Sequence, residues 1–461
     1  MRAVRLSLAV LVTAVLTNAC GGGGDGTSPG PPPPGAALSA SPPLPGADWP
    51  MYGGNPQRTN VADSAATAGP PSIAWHAQLD GAVYGQPLVI GHTVIAATEH
   101  DTIYGLNVLN GQIRWQRHVG TPVPLSALPC GDIDPLGITG TPVYDQANGI
   151  VYAVAETTGY HHVLVGVSVT NGAIRVERDI PTPDGEPRYD QQRPALALLG
   201  RYVFVAFGGL YGDCGPYRGS VVAVPASGSG AMLSFVVPTA REGGIWGPSG
   251  PVLGPSGMLY VSDGNGATSS TAFDGTNAVL ALTQSLHAVG AFAPTNWRAD
   301  SQNDADLGAT QPALLDNGLQ LLAVGKSGTA YLLDAARLGG VGGQIASLSV
   351  CSAYGGAAVD GTTVYEPCQS GGMAAVSAAG SQLQVLWRGP SSAQGSPVVA
   401  GGVVWVTDYA SGGLYEMDPT SGAVLGSLPL GVTLPHFASM SVSGNRGYIG
   451  ADDGVLAIAG L

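Results

Sequence analysis

Residues 395–428 read "GSPVVAGGVVWVTDYASGGLYEMDPTSGAVLGSL". Three short apolar runs, "PVVA", "VVWV" and "GLYEM", are separated by Gly-rich turns, and a fourth follows the turn "DPTSG". Runs this short, bounded by Gly, Asp and Ser, signal strands and not helices. The stretch therefore predicts four short strands joined by tight turns. Such a unit cannot bury its apolar faces alone, so its recurrence decides the fold.

The unit recurs. Residues 85–115, "GQPLVIGHTVIAATEHDTIYGLNVLNGQIRW", repeat the order of runs and turns and end in Trp115. Aligning the proline or its replacement marks Pro87, Pro142, Pro194, Pro251, Pro312, Ala357, Pro397 and Met440, at spacings of 55, 52, 57, 61, 45, 40 and 43 residues. Four-stranded units of this period predict propeller blades, numbered 1 to 8 here, and the longer periods reflect insertions between strands. The eighth unit supplies only three strands before Leu461. "SIAWHAQL" at residues 72–79 offers the missing outer strand, with Trp75 in the place that Trp115 and Trp387 hold in their own units. The expected fold class is all-β, an eight-bladed β-propeller of four-stranded antiparallel blades. Its ring is closed by N- and C-terminal strands in one blade, which leaves no open edge.

Composition agrees. Glycine is abundant, at 71 of 461 residues, and only 10% of residues are charged, against about 25% in ordinary domains. The net charge of −14 argues against a nucleic-acid partner. Three regions are expected: an export signal at 1–20, a Gly/Pro-rich disordered tether at 21–47, and a single propeller domain at 48–461. Arg2 and Arg5 precede an apolar run at residues 6–16, too short to span a bilayer. It ends in "LTNAC", which resembles a bacterial lipoprotein signal with lipidation on Cys20. That resemblance implies export and a lipid anchor as the only membrane contact, at the outer membrane or cell surface. The mature chain would keep Cys130, Cys214, Cys351 and Cys368. An even number in an exported chain implies two disulfides, with three possible connectivities. Nothing has the CxxCH spacing of covalent haem.

"LYEMDPTSGAVL" and "IYGLNVLNGQIRW" resemble the repeat signature of the pyrroloquinoline quinone (PQQ) propeller superfamily, over roughly Trp49 to Leu461. That superfamily includes quinoprotein alcohol dehydrogenases and non-catalytic outer-membrane assembly lipoproteins of the BamB type. The insertions of blades 2 to 5 resemble the dehydrogenase site in chain order. Cys130-Gly131-Asp132 stands where those enzymes have two adjacent cysteines and an aspartate, so a vicinal cystine is absent here. The resemblance implies Asp213 in "YGDCGPYRG" and Asn265 in "SDGNGA" as calcium ligands, and Trp246 in "GGIWGP" as the stacking platform. It implies Asp304 and Asp306 in "NDADLG" as the acidic pair, both able to ligate the metal, with Asp304 as catalytic base, and Lys326 in "VGKSGTAYLLD" as the quinone contact.

Those residue types suit the chemistry. Calcium takes hard oxygen ligands, a carboxylate can accept a hydroxyl proton, and a flat cofactor needs an aromatic platform. Blade placement leads us to expect Cys130–Cys214 between neighbouring insertions and Cys351–Cys368 within blade 6. Asp132 and Asp134 read as turn caps, since the following "PLGITG" lacks the later ligands of a calcium loop. His161 and His162 read as surface residues. The functional expectation is an exported, monomeric PQQ-like propeller that binds a quinone cofactor or small ligand at the blade 2–5 face, with PQQ and calcium as possible cofactors and oxidoreductase chemistry as its stronger form. The alternative is a BamB-like scaffold that binds envelope proteins without a cofactor.

Overall fold

The computed structural model describes residues 46–62, 70–267, 272–315, 318–369 and 371–461. The export signal, Cys20 and almost all of the tether lie outside the described residues.

Eight antiparallel sheets follow one another along the chain. Blade 1 is typical, running Leu88–Ile90, Thr93–Ala97, Thr102–Asn107 and Ile113–His118 from the innermost strand outward. Its first two strands are wholly buried, whereas its last exposes every residue but Trp115. Blades 2, 5, 6 and 7 repeat this plan. Blade 3 gains Asp190–Gln191 beside its second strand, and blade 4 gains Gly340–Val341, parallel to its outer strand. The protein is thus an eight-bladed propeller with almost no helix.

Blade 8 is composite. Ser72–Gln78 pairs antiparallel with Gly454–Ala459, which continues into Arg446–Ala451 and Met440–Ser443. The closure is also a packing unit. Trp75, Ala77, Val94, Trp405, Tyr448 and Leu456 share one buried cluster that joins blades 7, 8 and 1.

Tryptophans tie blade to blade. The Nε1 of Trp75 donates to the Val108 carbonyl (3.2 Å), that of Trp115 to Val169 (3.1 Å) and that of Trp387 to Pro419 (2.9 Å). Each ring lies on a glycine of the next blade's outer turn, Gly111, Gly172 and Gly422 respectively. These glycines have φ of 67–71°, and a Cβ on any of them would lie within 2.7 Å of the indole. Only glycine satisfies both demands. Val176 of blade 2 covers Gly228 of blade 3 in the same way.

Residues 46–62 close one end of the axis. Trp49 exchanges backbone hydrogen bonds with Val89 of blade 1; Pro50 accepts from Tyr144 of blade 2 and Pro56 from Leu253 of blade 4. Thr59 and Asn60 accept from Val359 of blade 6 and Val399 of blade 7. Buried Arg58 donates to the carbonyls of Tyr52, Leu196 and Pro251, which satisfies a charge that burial would otherwise make costly. The segment has no repeat period, and nothing in the sequence marked it as a plug.

His162 corrects the sequence reading. It is 2% exposed, edge-on to Phe207, with Glu156 at 3.6 Å, whereas His161 stays in solvent. Both lie on one strand, His161–Ser168, where neighbouring side chains face opposite ways.

Trp387→Ala is expected to cost about 3 kcal/mol of unfolding free energy, read from denaturant midpoints. A cost below about 1 kcal/mol would mean that the indole is not a structural seat.

Candidate functional site

The loops that enter the innermost strands meet on the axis opposite the plug. They bring together residues distant in sequence. Trp246 lies between blades 3 and 4, Tyr354 between 5 and 6, and Phe437 between 7 and 8. Their ring centroids form a near-equilateral triangle of 6.3–6.4 Å, and Tyr354 and Phe437 are stacked at 13°. All three are partly exposed. Trp246 is therefore not a blade-core residue but part of this open face. Beneath the rings the axis narrows to a cavity of about 10 Å³ between Tyr84, Thr139, Arg193 and Tyr52, room for roughly one water.

Two cations sit in this bowl. Lys326, in the turn between Gln320–Val324 and Thr329–Asp334, places Nζ 5.5 Å from the Trp246 ring and 5.9 Å from the Tyr354 ring. The Arg193 guanidinium lies 4.9 Å over Phe437. Such distances suit cation–π attraction. No hydrogen bond or ion pair holds the Arg193 guanidinium among the described residues.

Lys326 also joins the acidic pair. Nζ is 2.7 Å from Asp304 Oδ1 and 2.8 Å from Asp306 Oδ2. Asp304 is 65% exposed, whereas Asp306 is 3% exposed and its Oδ1 accepts the Asn265 backbone N–H at 2.6 Å. Burial acts to lower the Lys326 pKa, but the charges and hydrogen bonds of Asp306 and Asp304 outweigh it and hold the ammonium above its ordinary range. Burial raises the Asp306 carboxyl, against the pull of Lys326.

The remaining expected ligands lie on neighbouring turns. Asp213, at φ 49°, accepts the Tyr217 hydroxyl at 2.5 Å. The backbone of Asn265 is tied on both sides, to Asp306 and, through its carbonyl, to the Gly243 N–H. Among the described residues no group of three or more His, Cys, Asp or Glu side chains is arranged to hold a metal ion. Asp304, Asp306, Lys326 and Trp246 are thus brought together, while Asp213 is engaged elsewhere.

The disulfides are Cys130–Cys214 and Cys351–Cys368. The first joins the insertions of blades 2 and 3 over a small cluster of Ile133, Leu136 and Leu210. Asp134 caps the turn before it, accepting the Leu125 N–H at 3.0 Å.

Arg193, Tyr84, Tyr354 and Phe437 escaped the sequence reading, although a signal was present. Tyr84, Tyr354 and Phe437 each stand three residues before an aligned position (Pro87, Ala357, Met440), and Arg193 stands one before Pro194. The repeat itself thus aims these side chains at the axis.

Against this geometry the comparisons are specific. The family described as outer membrane protein assembly factor BamB matches residues 64–286 and again 249–426. The chain belongs to this BamB-type family of PQQ-like propellers. Among curated proteins none matches. Quinohemoprotein alcohol dehydrogenase ADHIIG from Pseudomonas putida HK5 superposes with a TM-score of 0.66 at 13% identity, over 89% of this chain and 80% of that one. BamB from Moraxella catarrhalis gives 0.58 at 16%, over 84% and 97%. A europium-containing methanol dehydrogenase gives 0.65 at 15%, over 87% and 89%. At these identities the likeness to this BamB-type chain is one of fold.

A buried acidic group flanks the mouth. Burial pushes Glu99 and Asp101 up to about 8 and Asp190 to about 9. Each folded value lies above that of the unfolded chain, so their stabilising contribution is complete below about pH 4. It is lost as pH rises through 8 to 9. The melting temperature is expected to fall between pH 5 and 9, and Glu99→Gln to flatten that fall. An unchanged slope in Glu99→Gln would show that Glu99 is ionised in the fold.

Proposed function

We propose that this BamB-type propeller is an exported binding protein whose axial mouth takes a planar aromatic anion of the pyrroloquinoline quinone class. The observation that supports this most is the aromatic triangle with a cation on two of its rings, Lys326 over partly exposed Trp246 and Arg193 over Phe437, of which Arg193 has no acceptor among the described residues. An aromatic face beside fixed positive charge favours a flat ligand bearing carboxylates or quinone oxygens. Trp246 would stack on the ring system, Lys326 would face its oxygens, and Arg193 would neutralise a carboxylate. Such a quinone, when bound, supplies two-electron redox chemistry. For the oxidoreductase form of this reading, Asp304 is the solvent-facing carboxylate placed to accept a substrate proton. Export and a lipid anchor on Cys20 belong to the same proposal, supported by "LTNAC" and by the family match.

The second reading, an envelope-protein scaffold without a cofactor, is favoured by that family match. Titration of the protein with PQQ, followed by tryptophan fluorescence, separates the two. Saturable quenching is expected. Trp246→Phe should remove most of it, and Arg193→Met should weaken affinity by about tenfold or more. No saturable quenching would leave the scaffold reading. For localisation, Cys20→Ser is expected to move the protein from the membrane fraction to the soluble envelope fraction; unchanged membrane association would exclude that anchor.

A further inference from the structure

The acidic pair at the mouth resembles a metal site, yet each carboxylate near it is already engaged through at least one oxygen. Asp306 uses both oxygens, Oδ1 for the Asn265 N–H and Oδ2 for Lys326. Asp304 gives Oδ1 to the same ammonium, and Asp213 gives Oδ1 to Tyr217. Calcium would need six to eight oxygens at about 2.3–2.6 Å, so it would have to displace the ammonium that lies 2.7 Å from Asp304 Oδ1 and 2.8 Å from Asp306 Oδ2. These residues therefore do not fit calcium. We propose that the Lys326 ammonium occupies the place of a divalent cation, so that the mouth binds its anionic ligand without metal.

The choice of residue supports this. Lys326 is the only lysine among 461 residues, although 17 residues are Lys or Arg. Everywhere else the fold uses arginine. An ammonium is a compact charge with three donors, whereas a guanidinium is a flat fork. Two donors reach Asp304 and Asp306, and the third remains for a ligand oxygen on the Trp246–Tyr354 side. One ammonium between two carboxylates leaves a charge of −1 at the pair, while Arg193, with Asp132 and Glu99 as its own acidic neighbours, stands across the aromatic triangle. A flat anion then meets positive charge from two directions, with no divalent ion required.

The inference rests on the ligand reading only for its last test. Terbium luminescence sensitised by Trp246 reports metal at the pair directly, because that ring is 5.5 Å from Nζ. Wild type is expected to give no saturable signal that Trp246→Phe abolishes. Lys326→Met frees both carboxylates and should create one, with affinity raised roughly tenfold or more. Saturable wild-type binding that is lost in Trp246→Phe and in the exposed variant Asp304→Asn would overturn the inference. So would a folded Lys326→Met that gains nothing. If Lys326→Met does not fold, the wild-type melting temperature in EDTA and in millimolar calcium decides: equality supports the inference, and a calcium-dependent rise that Asp304→Asn removes overturns it. In the PQQ titration, equal quenching in EDTA and calcium supports metal-free binding, whereas quenching that requires calcium defeats it and leaves the ligand reading intact. Absence of quenching in both buffers defeats the ligand reading alone, and the terbium result then decides the metal question.

Discussion

The structure depends on the pairing of Ser72–Gln78 with Gly454–Ala459. A propeller blade exposes an apolar face on each side and can bury both only between neighbours. A ring with one gap would leave two such faces in water. The closing strand removes the gap with a hydrogen-bonded ladder and with Trp75, which reaches into blade 1 as Trp115 reaches into blade 2. Closure is thus both a backbone and a side-chain event, and it joins the two ends of a long chain. Once the ring is closed, the loops that enter the inner strands have only the axis to converge on.

That convergence builds the mouth. The other end is occupied by residues 46–62, whose backbone pairs with innermost strands around the ring and whose Arg58 charge is satisfied by three carbonyls. The two ends therefore differ chemically. One is a plug tied to the inner strands by backbone hydrogen bonds, with Trp49, Met51 and Tyr52 buried. The other gathers three partly exposed aromatic rings with Lys326 and Arg193 against them. Cys130–Cys214 holds the insertions of blades 2 and 3 together beside that mouth.

The ring was legible in the sequence because a repeat multiplies a weak signal. One "DPTSG" turn is ambiguous, but eight aligned positions and an unpaired "SIAWHAQL" leave few alternatives. Both disulfides were legible for the same reason, since their cysteines fall in placed insertions. The plug was not legible, because residues 46–62 are held by tertiary hydrogen bonds and carry no period. His162 was misread because adjacent histidines on a strand look alike in sequence but face opposite ways. At the site, the proximity of Asp304, Asp306, Lys326 and Trp246 could be anticipated from motif order. Which carboxylate oxygen would meet which donor could not, because that depends on side-chain reach across loops of different blades. Arg193 and Phe437 were accessible only through their offset from the aligned positions.

Lys326 links these levels. Its loop position follows from the blade repeat, Asp304 and Asp306 hold its ammonium, and its contact with Trp246 places that charge at the aromatic face where the proposed ligand would lie. As the only lysine, it can be observed alone. A pH titration of protein labelled with ¹³C at the lysine ε-carbon, followed by NMR, tests its role most directly. The single side-chain signal is expected to stay in its charged form through the ordinary lysine value of about 10.4, and to lose that resistance in Asp306→Asn. A wild-type midpoint at or below that value would contradict a built-in cation held by the acidic pair.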